Sequence, residues 1–241
     1  MFPVVLDVHT HSISSGHYSR DTITDMVKAA VKQKLTLLGI SEHGPAIPHS
    51  CTASYFRGLR TAPKTRMGIH MLYGAEVNIM DYNGKLDLEN DILKGLDYCI
   101  AGMHTPCLKP GTKEENTQAY ICAMKNPYIK IIAHPDDVKY PVDYDRLLQA
   151  AMEYGVLLEI NNSSLSPDGY RGDTRENDRQ ILSLCKRNTY PVLLSSDSHG
   201  HSHIGDVAYA LALAEETGFP PELVINHSQE DFLSFLRRTI G

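Results

Sequence analysis

Val4-Val5-Leu6-Asp7-Val8-His9-Thr10-His11 begins as an apolar run, reads as a β-strand and ends in two histidines one residue apart. Alternate side chains of an extended chain point the same way, so His9 and His11 can chelate one ion. Further strands are predicted at 35–40, 71–77, 98–103, 129–133, 156–160 and 191–194, after a first strand at 4–9. At or just beyond most of these runs stands a histidine or an acid. In chain order the candidates are His9, His11, His17, His43, Glu76, His104, His134, Asp197 and His199. Asp197-Ser198-His199 repeats the first spacing after the last run. A parallel αβ barrel ends all its strands on one face, so groups scattered along the chain would meet there. An open doubly wound sheet would hold its outer strands too far apart for one site.

Several of the runs are too continuously apolar to keep one face in water, as in a parallel sheet covered by helices. The covering helices are legible between them. Asp21 and Thr22 can cap a helix carrying Ile23, Met26, Val27, Ala30 and Val31 at helical spacing. Residues 143–154, 173–187, 204–217 and 229–238 show the same habit. Asn83-Gly84 signals a tight turn, which would carry the third strand into a hairpin before Lys85 and Leu86. Residues 164–172 read as a polar loop beside the site.

With 241 residues, 42% of them hydrophobic, the chain suits one domain spanning 1–241 with a sizeable core. Five cysteines without a C-x-x-C argue against a disulfide framework or a zinc knuckle. A net charge of -6 without a basic run weighs against nucleic acid as a partner. No run reaches the roughly 18 apolar residues of a membrane span, and the apolar start lacks the basic flank of a signal peptide. A cytoplasmic protein is expected. The oligomeric state is not legible, and a homo-oligomer is compatible with the sequence.

Nine candidate ligands exceed the three or four that one zinc takes, so two or three divalent ions are expected. Three such ions bring about +6, against about -2 from Glu76 and Asp197, and the surplus calls for hydroxide and an anionic substrate. Water bound to such ions is acidified to near pH 7 and becomes a nucleophile, with phosphate esters the natural match. His49, His70 and His227 read as surface or packing residues; His201 and His203 fall in a glycine-flanked polar loop.

The successive motifs His9-Thr10-His11, Gly39-Ile40-Ser41-Glu42-His43-Gly44-Pro45, Gly74-Ala75-Glu76, Gly102-Met103-His104, Ala133-His134-Pro135 and Ser196-Asp197-Ser198-His199 resemble those of the PHP (polymerase and histidinol phosphatase) family. Asn116-Thr117-Gln118-Ala119 and Leu158-Glu159-Ile160-Asn161-Asn162-Ser163-Ser164 narrow the resemblance to the YcdX-like phosphatase branch. The resemblance implies a distorted (β/α)7 TIM-like barrel with a trinuclear centre, usually zinc, with manganese or iron in some members. It also implies His9, His11, Glu76 and Asp197 on one metal, Glu76 bridging to a second held by His104 and His134, and His17, His43 and His199 on the third. Glu76, His104, His134 and Asp197 would then be catalytic. Glu42 departs from the aspartate more usual before this histidine, and as an outer residue it would orient a ring. Asp136 and Asp137 would add negative charge near the mouth. Arg20 and Arg171 are rim candidates for a phosphate or leaving-group contact, with a solvated surface role as the plainer alternative.

The expected activity is hydrolysis of small phosphomonoesters. The competing readings are a histidinol-phosphate phosphatase, a nuclease or proofreading domain, and a metal-binding module without turnover.

Overall fold

The computed structural model describes residues 4–16 and 18–237, so the expectation on His17 lies outside the described residues. Its strands are β1 (Leu6–Asp7), β2 (Leu37–His43), β3 (Thr65–Arg66), β4 (Ile69–Asn78), β5 (Cys99–Gly102), β6 (Ile129–Ile132), β7 (Leu157–Asn161) and β8 (Val192–Ser195). Seven of them pair in parallel in the order β1-β2-β4-β5-β6-β7-β8, and β3 adds to β4 antiparallel. The result is the nearly closed (β/α)7 barrel expected from the strand-end pattern.

Closure between β1 and β8 takes an unusual form. A parallel bridge joins Thr10 to Ser198, with the His11 N–H donating to the Ser198 carbonyl at 2.7 Å. Nearer the other end of the barrel, the buried Asn226 side chain fills the seam. Its Nδ2 donates to the carbonyls of Leu6 (3.2 Å) and Leu194 (2.7 Å), and its Oδ1 accepts from the Leu194 N–H at 2.8 Å. One amide side chain thus satisfies strand groups that would otherwise be buried unpaired.

The helices are α1 (Ile23–Lys32), α2 (Ala53–Gly58), α3 (Asn90–Leu93), α4 (Lys113–Met124), α5 (Tyr144–Tyr154), α6 (Asn162–Leu165), α7 (Arg175–Arg187), α8 (Ala208–Glu216) and α9 (Gln229–Arg237). Thr22 caps α1 in a reciprocal box with Asp25, and Asp143 caps α5. The anticipated hairpin is present: Ile79 bridges Leu86 antiparallel, and Gly84 takes a left-handed φ of 76° at the turn. The first predicted strand shrinks to two residues; beyond them Thr10 is tied to β2 by side chains as well as backbone, its Oγ1 donating to the Gly39 carbonyl and its N–H to Ser41 Oγ, while its carbonyl accepts from the Ser41 N–H. The second starts at Leu37, since Lys34 turns left-handed and the Leu35 N–H donates to the Ala30 carbonyl of α1. No helix among the described residues is long and apolar enough to cross a membrane.

Strand alternation sorts side chains into two layers. Leu38, Met71, Ala101, Ile132, Leu158 and Leu194 pack in the large cluster beneath the helices. Their neighbours Leu37, Leu72, Ile100, Ile131, Leu157 and Leu193 face the barrel interior, where Ile225, Phe232 and Phe235 join them. Tyr98 lies in this inner cluster, its hydroxyl donating to the Val8 carbonyl at 2.6 Å. Gly39 and Gly74 make room for it: a Cβ on Gly39 would come within 2.3 Å of the Tyr98 hydroxyl, and one on Gly74 within 2.8 Å of the ring. The ring therefore forms a floor across the barrel.

Candidate metal centre

Above that floor the inward positions turn polar. On β4 the inner face runs Leu72, Gly74, Glu76, Asn78, so strand period alone lifts a carboxylate over the apolar layer. Glu76 is fully buried and acts as the hub. Its Oε2 lies 2.7 Å from His43 Nδ1, 3.3 Å from His9 Nε2 and 3.5 Å from His11 Nε2. Its Oε1 lies 2.9 Å from His134 Nε2 and 3.2 Å from His104 Nε2. Gly102 leaves the space for this carboxylate, since a Cβ there would sit 2.9 Å from Oε1. Asp197 Oδ1 faces His11 Nε2 at 3.3 Å and His9 Nε2 at 3.6 Å, while the His11 and His199 rings stand 4.5 Å apart. Eight of the nine expected residues are thus brought together, and the ninth is His17.

An outer layer orients these groups. Glu159, fully buried on β7, accepts from His9 Nδ1 at 2.6 Å, from the His134 backbone N–H at 2.6 Å and from Asn161 Nδ2 at 3.0 Å. With Nδ1 committed to a carboxylate, His9 turns its Nε2 edge into the centre. Asn78 does the same for His104, whose Nδ1 lies 2.7 Å from its Oδ1; Asn78 Nδ2 donates in turn to Asp87 at 2.6 Å. Ser15 gives its hydroxyl proton to Glu42 at 2.5 Å, which leaves its oxygen to accept from His11 Nδ1 at 3.3 Å. Glu42 also takes the Ser12 N–H at 3.0 Å, so its extra methylene is used to reach a loop. Its link to the His11 ring runs through the Ser15 hydroxyl.

Two site residues hold left-handed backbone conformations, His134 at φ 30° and Asp197 at φ 51°. Such conformations cost free energy in non-glycine residues and persist where surroundings over-determine them. For Asp197 the surroundings are explicit. Asp7 of β1 accepts from Ser196 Oγ at 2.5 Å and from the Gly205 N–H at 2.8 Å, pinning the loop on both sides. Arg171, only 2% exposed, donates to Asp197 Oδ2 at 2.8 Å and to Ser164 Oγ at 3.2 Å. It is therefore not a solvated rim arginine: its guanidinium holds Asp197 so that Oδ1 faces the histidines. Arg20 is exposed, as expected.

Buried charge is concentrated in the site. Glu76, Asp197 and Glu159 are all buried, and of the three Asp197 is paired with a permanent cation, Arg171. Burial alone would raise the Glu76 carboxyl, but His104 and His9 outweigh it and hold it well below the usual range. Burial would likewise raise Asp197, and His9 and Arg171 hold it well down. Burial lowers His104 to about 4, so its ring is neutral at pH 7, as a ligand must be. Nε2 of His9, His11 and His104 has no hydrogen-bond partner among the described residues, although each is buried and aimed at carboxylate oxygen. Three sets, His9/His11/Glu76, His43/Glu76/His104 and His11/His43/His199, each bring three ligand atoms within 4.8 Å of one another. Inward lone pairs and under-neutralised carboxylates are what divalent cations satisfy. The residues fit such ions.

A family model for the PHP domain matches residues 7–163. The chain belongs to the PHP family. A relative named a probable phosphatase from Clostridium novyi is 41% identical over 233 residues, covering 97% of this chain and 94% of that one. Another, from Thermoanaerobacter sp., is 40% identical over 242 residues, covering 99% and 98%. Among solved structures, histidinol phosphate phosphatase from Lactococcus lactis, complexed with zinc, L-histidinol and phosphate, matches with a TM-score of 0.62 at 19% identity. The match covers 90% of this chain and 95% of that one. At that identity the likeness establishes the PHP barrel as the shared fold.

Sequence reasoning missed Glu159, Asn78 and Asp7 as parts of the centre. Glu159 had left a signal, an acid inside the apolar run Leu157-Leu158-Glu159-Ile160. His201 and His203 lie outside the cluster, exposed on the loop after β8, where His201 Nδ1 bonds Asp21 at 2.9 Å. The five cysteines are free thiols, as expected.

Proposed function

We propose that this PHP protein is a metal-dependent phosphatase that hydrolyses small phosphomonoesters. The observation that carries the reading is Glu76, a buried carboxylate whose two oxygens are shared among five imidazoles. His9, His11, Glu76 and Asp197 would hold one ion, Glu76, His104 and His134 a second, and His43 and His199, with His17, a third. Zinc is the first candidate for all three, in keeping with the zinc in the Lactococcus relative's structure, and manganese or iron the next. When bound, such ions supply a nucleophilic hydroxide at neutral pH and neutralise phosphoryl oxygens.

The chain's own residues do the rest. Glu159, Asn78 and Ser15 fix the tautomers of His9, His104 and His11, so each ring offers Nε2 without reorganising. Arg171 keeps Asp197 ionised and oriented. The Tyr98 floor closes the barrel beneath the centre, so an ester must enter from the loop face. No side chain needs to act as a nucleophile.

The test is a screen of phosphorylated metabolites against metal-analysed protein. Turnover of phosphomonoesters, lost on chelation and restored by zinc or manganese, is expected. Absence of hydrolysis of every phosphomonoester by protein carrying its full metal complement would overturn the assignment.

A further inference from the structure

Two clefts open from the metal centre, and their walls differ in chemistry. The larger, about 400 Å³, adjoins Asp197 and His199 and is walled by Ser163, Asp168, Asp206 and Tyr209. The smaller, about 120 Å³, adjoins His43 and His104 and is walled by Ile47, Met103, Pro106 and Tyr170, with Lys139 alongside and with Asp137 and Arg171, both already buried, behind. If the phosphoryl group of a substrate sits on the metals, its alcohol half must lie in one of them. A neutral group in the larger cleft would strip water from Asp168 and Asp206, which is unfavourable. In the smaller cleft it would cover apolar wall, which is favourable.

Tyr170 gives the smaller cleft its shape. It is 58% exposed, yet its surroundings hold it. Lys139 Nζ donates to the Tyr170 carbonyl at 3.0 Å and stands 5.1 Å from the ring centroid. The Arg171 guanidinium lies 4.6 Å from that centroid and is itself fixed on Asp197 at 2.8 Å. The Val138 N–H donates to the Arg171 carbonyl at 3.3 Å, stitching the two loops together. A wall held before binding loses little freedom when a ligand arrives. The dimensions suit one ring, since apolar cavities of about 150 Å³ take up benzene.

Building on the phosphatase reading, we propose that the cleft between His104 and Tyr170 is the leaving-group subsite. It takes an uncharged, flat group of about one ring, with Tyr170 as the residue that determines this preference.

The experiment titrates metal-loaded protein with phenylphosphonate and methylphosphonate, which share an anionic head and contain no ester to hydrolyse. Wild type should bind the phenyl compound about tenfold more tightly, the contribution of one well-placed aromatic contact. Tyr170→Ala should bring the ratio to within about twofold of unity, Tyr170→Phe should keep it, and Tyr209→Ala in the other cleft should leave it unchanged. Affinity for inorganic phosphate should be the same in all four proteins. A wild-type ratio near one, a ratio that survives Tyr170→Ala, or one that collapses in Tyr209→Ala would each overturn the subsite. In parallel, Tyr170→Ala should raise KM for phenyl phosphate but not for glycerol phosphate, with kcat retained. If no ester is turned over while the phosphonate ratios behave as described, the phosphatase reading fails, and with it the leaving-group role, while the cleft stands as a binding site for one ring.

Discussion

Leu72 and Glu76 lie four residues apart on the same face of β4, both fully inside the barrel, in opposite surroundings. Leu72 packs with Leu37, Ile100 and the aromatic rings of α9. Glu76 faces imidazoles from four other strand ends, and the rings of His9, His11 and His104 are held by partners further out. Tyr98 separates the two regions. Below it, stability follows volume and burial, and a hydrophobic side chain of similar size would serve. Above it, function follows which atom points where, and an isosteric exchange is enough to spoil the arrangement.

The largest expected effect is at the hub. Glu76→Ala, or His134→Ala, should reduce phosphatase activity to background while far-UV circular dichroism stays that of wild type. Retained activity in either would break the contrast between the two regions.

Phe232→Ala tests the floor from the other side. It should cost about 3–5 kcal/mol, the range for truncating a buried aromatic residue, with metal content per folded chain unchanged. A loss of metal without a loss of stability would mean that the floor is part of the site.

Glu159→Gln isolates orientation from ligation, because Glu159 meets His9 at Nδ1 and not at Nε2. A competition assay with a chelator should show metal affinity weakened by about 10–100-fold, with the thermal midpoint little changed. Gly39→Ala is the mildest change, pressing on the Tyr98 hydroxyl and on Val8. Overpacking of this kind costs about 1–3 kcal/mol, and Tyr98→Phe in the same chain should recover part of it in a denaturant titration.

Much of this was legible in the sequence because a parallel barrel turns linear order into geometry. Strand-end groups such as His9, His104 and Asp197 announced a shared site before any contact was known. The orienting layer was less legible, since its members look ordinary where they stand. Asn78 ends a strand beside a hairpin, and Asp7 interrupts an apolar run. Arg171 sits in a loop rich in Ser, Pro and Gly that reads as surface, and only folding buries it against Asp197. Helix α4 carries no clear apolar stripe because Asn116 and Thr117 are buried beside Ala119 and Tyr120. Asn116 Nδ2 donates to the carbonyls of Gly111 and Pro141, so a polar residue does the work of packing there. Gly39 and Gly74 stand in the sequence as motif letters, but their reason, a tyrosine placed just ahead of β5, is a tertiary fact.

The most direct test of the whole account is elemental analysis of chelator-free protein after reconstitution and removal of unbound metal. Two to three divalent ions per chain are expected for wild type, with a clear loss in Glu76→Ala. A wild-type chain that retains fewer than about one ion, or a Glu76→Ala chain that retains the full complement, would contradict the claim that these strand ends converge to hold metal.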